Sequence, residues 1–233
     1  MKKLLTTTFH KYGIELSEKQ AEQFEQYYTY LVEENEKFNL TAITEKNDVV
    51  IKHFIDSVLP FHDIPQNASV IDVGTGAGFP GVPLKIVRPD IHVTLLDSLN
   101  KRVEFLKRLC ERLGLEEVTF VHARAEDYCK EKREKFDIAI SRAVAALPTL
   151  AEYLLPFVRK GGNALMYKAE KADEEIKAGE KAIKTLGGRV EKVKNYLLEE
   201  VDGTRNVVFI AKITPTPSKY PRPKNLPKTK PIV

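Results

Sequence analysis

An α/β chain with a mostly parallel sheet, helices on both of its faces and a helical portion in front of it is the fold class this sequence predicts. Three observations carry the prediction. Residues 1 to about 65 show helical periodicity and no strand signal. From Ser69 onward, short β-branched runs alternate with helical patterns. The first of those runs enters a glycine-rich turn, "VIDVGTGAGFPG" from Val70 to Gly81.

Each element is read from local chemistry. Ser17 and Gln20 make a capping box, and Ala21, Phe24, Tyr27 or Tyr28, and Leu31 follow at helical spacing. A second helical pattern runs through "VVIKHFIDSVLPF", with Ile51, Phe54 or Ile55, Val58 and Leu59 on one face. Seven strand-like runs come next: "SVIDVG", "HVTLLDS", "VTFVHA", "DIAISRA", "NALMYK", "RVEKVKNYLL" and "NVVFIAKI". Among the intervening helices, one is expected to be capped by Ser98, to bury Val103, Leu106, Leu109, Cys110 and Leu113, and to stop at Gly114. The last two strands are joined by "EEVDGTR" without a long helix, which predicts an antiparallel hairpin closing the sheet. The expected organisation is a helical extension packed on the core (1–65), a sheet domain (66–213) and a basic, proline-rich tail (214–233).

Composition narrows the class. With 233 residues, 42% hydrophobic and 30% charged, the chain has enough apolar surface for one substantial core. Two cysteines, Cys110 and Cys129, neither build a disulfide framework nor fill a four-ligand zinc site. A reducing compartment and no metal are expected. The start "MKKLLTTTFHKYG" has too short an apolar stretch for a secretory leader, and no run approaches membrane-spanning length. A cytoplasmic, membrane-free monomer is expected. The tail carries Lys219, Arg222, Lys224, Lys228 and Lys230 and no acid, against a net charge of +4 for the chain. That asymmetry points to a polyanion, whose counterions such cations displace, with a merely solvated tail as the alternative.

The glycine turn alone fits a pyrophosphate, a nucleoside or no ligand. Asp72 separates the cases. A carboxylate there repels a pyrophosphate, whereas it suits S-adenosyl-L-methionine, which carries an ammonium and a sulfonium. Gly74 and Gly76 let the backbone turn and approach a ligand. Asp97, at the end of the next strand, is placed to accept ribose hydroxyls, or else to cap the helix after it. Ala125 and Glu126 in "HARAED" offer a small surface and a polar partner for adenosine, and Phe79 packs beside the ligand. A nicotinamide-dependent oxidoreductase using Gly76, Gly78 and Gly81 is the competing enzyme, opposed by Asp72 and by Pro83 behind the loop. A non-catalytic RNA-binding module is the third reading.

The fourth strand ends in Ser141-Arg142-Ala143, where methyltransferases acting on exocyclic amines commonly carry an N-P-P-Y type segment. With no evident general base either, the sequence is consistent with a nucleophile that already has a free lone pair, such as N7 of guanine. Arg142 and Lys168 are candidates for holding the donor's carboxylate, or guanine O6 and a phosphate. The alternative for each is a salt bridge with a neighbouring acid.

These residues closely resemble the bacterial ribosomal small subunit methyltransferase G family, also called glucose-inhibited division protein B. The resemblance spans nearly the whole chain. It rests on Asn39-Leu40-Thr41, His53 with Asp56-Ser57, "DVGTGAGFPG", the "DS..KR" pattern from Asp97 to Arg102, "RAE" from Arg124, "SRA" from Ser141, Lys168, Arg205 and the tail "YPR". It implies a Rossmann-like class I methyltransferase sheet of seven strands and methyl transfer from S-adenosyl-L-methionine to N7 of one guanine in 16S rRNA, leaving S-adenosyl-L-homocysteine. The implied partner is 16S rRNA or the small ribosomal subunit. The family's donor pocket maps onto Gly74, Phe79, Ala125, Glu126 and Arg142, with Asp97 expected at the ribose. Lys168, Arg205, Arg222 and Lys224 are the expected RNA contacts. His53 and Asp56 are family positions without an assigned role. Two departures stand out: Ala169 where the family often has glycine, and "NLPKTKP" where a "GTP"-containing tail is common.

Overall fold

The computed structural model describes residues 1–168, 172–198 and 204–233. Seven strands form one sheet in the order β3-β2-β1-β4-β5-β7-β6. They are β1 (Ser69–Val73), β2 (His92–Asp97), β3 (Val118–His122), β4 (Phe136–Arg142), β5 (Val158–Lys168), β6 (Gly188–Leu197) and β7 (Thr204–Lys212). β1 to β5 pair in parallel, while β7 runs antiparallel to both β5 and β6. The expected terminal hairpin is present, with β7 inserted between β5 and the edge strand β6. Most of its "EEVDGTR" connection, like Ala169, lies outside the described residues.

Strand periodicity sorts the core into two layers. Val70, Val93, Leu95, Ile138 and Ile140 point into one cluster, and Ile71, Val73, Leu96 and Ala139 into the other. The first layer is covered by the N-terminal helices α1 (Lys2–Lys11) and α2 (Glu18–Phe38), together with α5 (Gly81–Val87) and α6 (Asn100–Arg112). The second is covered by α7 (Ala125–Lys132), α8 (Leu147–Leu154) and α9 (Ala172–Thr185). The N-terminal helices therefore share the sheet's own core. An aromatic row joins them to the glycine turn: Phe9–Phe24 (4.8 Å between ring centroids), Phe24–Phe54 (4.9 Å), Phe54–Tyr27 (5.2 Å) and Tyr27 stacked on Phe79 (5.4 Å).

Two local readings are corrected. The helical pattern after "NLTAIT" is a π-helical turn, Val49–Ile55, between the short α3 (Lys46–Asp48) and α4 (Asp56–Val58). It buries Val49, Val50, Ile51, Phe54 and Ile55, a run wider than one α-helical stripe. Ser98 does not cap α6: the N-cap position is Leu99, and Asp97 Oδ1 accepts the Leu99 amide at 2.9 Å. By contrast, the Ser17–Gln20 capping box closes in both directions, and Gly114 follows α6 at φ +60°. Among the described residues, no helix is long and apolar enough to cross a membrane and no His/Cys/Asp/Glu cluster is arranged to hold a metal. Both cysteines are free and buried, and burial pushes each thiol up to about 12.

Candidate active site at the carboxyl edge of the sheet

The chain adds β2 and β3 on one side of β1, then returns to add β4 on the other. Sheets of this kind bind ligands where the strand order reverses, beyond the carboxyl ends of the strands. Three adjoining cavities lie there. The first encloses about 230 Å³ and is walled by Gly74, Asp97, Ala125, Glu126, Tyr153 and Asn225. The second continues from it past Gly74, Asp97 and Val144 to Gly76, Phe79, His53 and Arg142. The third shares His53 and Arg142 with the second and adds Asp56, Lys168 and Arg205.

The turn after β1 is set by backbone geometry. Gly74, Gly76 and Gly78 all have positive φ. A Cβ on Gly74 would lie 2.7 Å from Val144, so this glycine lets the β1 and β4 loops close on one another. Around Gly76, the same added atom would meet nothing within 4 Å. The backbone there faces open space, as a ligand cradle requires. Gly81 serves packing instead, since a Cβ would meet Leu95 at 2.6 Å and Asp72 Oδ2 at 2.8 Å. Its bare backbone lets α5 sit against β1 and β2.

Asp72 is placed differently from the sequence expectation. It is fully buried beneath the turn rather than at its mouth, and Oδ2 accepts the Gly81 amide at 2.9 Å. Burial pushes its carboxyl from 3.8 up to about 7. The reason is strand alternation: Val73, one residue on, lines the cavity, so the Asp72 side chain points into the opposite layer. Asp97, 3% exposed, does line the cleft, and the first two cavities share it. Its Oδ2 accepts the Gly76 amide at 3.0 Å and lies 3.4 Å from Arg102. Asp97 thus ties the end of β2 to the glycine turn, besides receiving Leu99.

Ala125 and Glu126 open α7 at the far wall of the first cavity. Glu126 is 2% exposed, and its Oε1 accepts from Arg124 Nε (2.8 Å) and the Asn225 amide (3.1 Å). Phe79 lies in the second cavity, stacked on His53 at 4.4 Å, with the Arg142 guanidinium 5.1 Å from its ring centroid.

Arg142, the last residue of β4, is the hub between the second and third cavities. It donates to Asp56 Oδ2 (2.6 Å), to the Lys52 carbonyl (3.1 Å) and to His53 Nδ1 (3.2 Å). Because a guanidinium only donates, His53 Nδ1 is the acceptor, and Nε2–H then donates to Thr41 Oγ1 at 2.8 Å. Desolvation and the adjacent Arg142 charge bring His53 from 6.5 down to about 3, which keeps it neutral. Asp56 Oδ1 also faces Arg205 Nε at 3.6 Å. Lys168 ends β5, its ammonium 2.7 Å from both the Ala145 carbonyl and Glu175 Oε2. Neighbouring acids therefore partner both Arg142 and Lys168 while the two side chains line the cleft.

The expected RNA contacts divide. Lys168 and Arg205 come together in the third cavity. Arg222 does not join them: it forms a forked ion pair with Glu152, a fully buried acid of α8, with Nη2 2.6 Å from Oε2. Lys224 is exposed on the same segment, apart from all three cavities. Sequence reasoning missed Tyr153, Asn225 and Lys228 as cavity walls, and missed Thr41 as the partner that fixes His53. The "NLT" motif was the available signal for Thr41. Nothing local marks Asn225.

A family model described as rRNA small subunit methyltransferase G (GidB) matches residues 20–207. The chain belongs to the rRNA small subunit methyltransferase G family. Members named ribosomal RNA small subunit methyltransferase G from Bacillus velezensis and from Bacillus subtilis are each 50% identical over 224 residues, covering 94% of both chains in each pairing. The Staphylococcus epidermidis member is 48% identical over 232 residues, covering 98% of this chain and 97% of its own. Among solved structures, M. jannaschii TYW2 in complex with AdoMet aligns with a TM-score of 0.56 at 17% identity, covering 73% of this chain and 77% of its own. P. horikoshii TYW2 in complex with MeSAdo aligns at 0.55 and 14% identity, covering 68% and 61%. At such identities the structures establish the fold, a Rossmann-like class I methyltransferase sheet. Membership of the family makes the chain an S-adenosylmethionine-dependent rRNA methyltransferase and sets aside the nicotinamide oxidoreductase.

Proposed function

We propose that this methyltransferase modifies N7 of a guanine in 16S rRNA, and that it does so by positioning, without a general base. One observation carries the reading. The four carboxylates and the histidine lining the three cavities, Asp97, Glu126, Asp56, Glu175 and His53, are each committed to partners within the protein. His53 in particular is neutral, with Nδ1 accepting from Arg142 and Nε2 turned to Thr41. No unpartnered acid or histidine lines the cavities among the described residues, and N7 of guanine has no proton to lose.

The residues fit the donor. Asp97 supplies a buried carboxylate for a ribose, Ala125 and Glu126 flank the adenine, and Gly74, Gly76 and Phe79 leave the open cradle for the methionine arm. When bound, S-adenosyl-L-methionine supplies an electrophilic methyl group on a cationic sulfur. Asp72, held under the turn by the Gly81 amide, supports the cradle from below. Arg142 separates the methionine arm from the third cavity, where Lys168 and Arg205 present positive charge to guanine O6 and a flanking phosphate. A looped or splayed guanine is the expected target, since duplex RNA buries N7 in its deep groove.

The test is methyl transfer itself. Labelled donor, the protein and small subunits lacking the modification are incubated, and the RNA is digested to nucleosides. Labelled 7-methylguanosine is the expected product. Label on another atom, or on protein alone, contradicts the assignment, and rRNA binding without turnover returns the chain to the non-catalytic reading.

A further inference from the structure

The C-terminal tail reads as a basic arm in the sequence, yet the structure folds it against the body. Lys212 Nζ, fully buried, donates to the Leu155 carbonyl and Thr216 Oγ1, and Arg133 donates to the carbonyls of Thr216, Pro217 and Tyr220. The Arg222–Glu152 fork pins the chain to α8. Past that pin, Asn225 sits at φ +60° and opens the short α10 (Leu226–Thr229), whose Pro227 carbonyl accepts from Thr149 Oγ1 at 2.9 Å. This places Asn225 and Lys228 in the wall of the first cavity.

Asn225 is bonded into that wall from three sides. Its backbone N–H donates to Glu126 Oε1 at 3.1 Å, while its side-chain Oδ1 accepts from Arg124 Nη2 (3.2 Å) and Tyr153 Oη (3.3 Å). Glu126, Arg124 and Tyr153 all line the cavity. The tail therefore fixes the orientation of a buried carboxylate that the ligand meets, and covers a side of the cavity that the sheet and its loops leave open.

We propose that the segment Arg222–Thr229 is a strap forming the outer wall of the donor cavity, with Asn225 the positioning residue that holds Glu126 against the adenosyl group. The proposal rests on the reading of that cavity as the donor site. Strap docking and donor binding are then coupled reciprocally: an undocked strap lowers donor affinity, and bound donor holds the strap down.

The experiment measures S-adenosyl-L-homocysteine affinity by calorimetry for the intact chain, for Asn225→Gly, for Thr149→Val and for a chain ended at Pro221. Glycine keeps the left-handed backbone at 225 while removing the side-chain acceptor. Weakening of about tenfold is expected for the shortened chain and about threefold for each point variant, on the scale where tenfold is 1.4 kcal/mol. Hydrogen exchange on the intact chain supplies a second readout, with amides of residues 225–230 expected to slow on adding S-adenosyl-L-homocysteine. Unchanged affinity in both point variants together with unchanged exchange overturns the strap, whether or not the shortened chain folds. A shortened chain that keeps its donor affinity and loses only rRNA affinity overturns it too, and makes the tail an RNA arm. Failure of the intact chain to bind S-adenosyl-L-homocysteine counts instead against the donor site itself.

Discussion

On one side of Arg142 the cleft is built on the backbone of two glycines at positive φ, Gly74 and Gly76, on the ends of β1 and β2, and on the first turn of α7. On the other side it is walled by long charged side chains in ion pairs: Arg205 faces Asp56, Lys168 pairs with Glu175, and Lys52 pairs with Asp48. The first kind of wall is shaped by backbone geometry at Gly74 and Gly76. The second keeps its cations in place through paired acids, and those cations can exchange partners when a phosphate or a base edge arrives. A donor that is always the same molecule suits the former, and a nucleotide drawn from a folded RNA suits the latter.

Removing the hub tests the division most severely. Arg142→Ala leaves Asp56, 6% exposed, facing only Arg205 at 3.6 Å. Because it strands a buried charge, it is expected to cost about 3 kcal/mol of unfolding free energy in denaturant melts. Stability near that of the parent would show that Arg205 alone neutralises Asp56. Asp97→Ala is expected to act on the backbone-walled side only, weakening S-adenosyl-L-homocysteine by tenfold or more, about 1.4 kcal/mol or above on the affinity scale. Unchanged affinity there would reduce Asp97 to a tie between the Gly76 and Leu99 amides.

The two sides also differ in how they answer pH. The folded protein holds a proton on Asp72 up to about 7 that the unfolded chain has released near 3.8, so this group lowers stability as pH rises through that window. His53 acts in the opposite sense: its folded value of about 3 against 6.5 means that stability present above pH 6.5 is lost as pH falls. Thermal melts should therefore show Asp72→Asn gaining on the parent as pH rises from about 4 to about 7, across that window. They should show His53→Asn losing less than the parent as pH falls from about 6.5 to about 5. Parallel melting profiles would deny either shift. The smallest effect is expected from Gly76→Ala, which meets no atom and loses only its unstrained positive φ, about 1 kcal/mol. Gly81→Ala, which collides with Leu95 and Asp72, should cost more; equal losses would contradict the distinct roles of the two glycines.

This contrast also explains what the sequence could reveal. The backbone-walled side was legible because a strand, a glycine turn and an acid ending the next strand are consecutive in the chain. Gly74, Gly76, Asp97, Ala125 and Glu126 all line the first two cavities. Asp72 misled because its charge was visible and its strand face was not. The charged side depends on separations that no local pattern encodes: Asp56 and Arg142 are 86 positions apart, and His53 and Arg142 are 89. The π-helical turn that presents His53 toward the cleft buries an apolar run, and Ile51, Phe54 and Val58 also fit ordinary helical spacing. The tail's basicity gave no hint that Asn225 and Lys228 wall the first cavity.

The central claim, that donor and nucleotide occupy separately built halves of one cleft, is tested most directly by Arg205→Ala. This side chain lines only the third cavity. S-adenosyl-L-homocysteine affinity should stay within about twofold of the parent while the rate of 16S rRNA methylation falls by about a hundredfold, near 2.7 kcal/mol in the barrier. A loss of donor affinity as large as the loss of methylation would contradict the account, and so would methylation that survives unchanged.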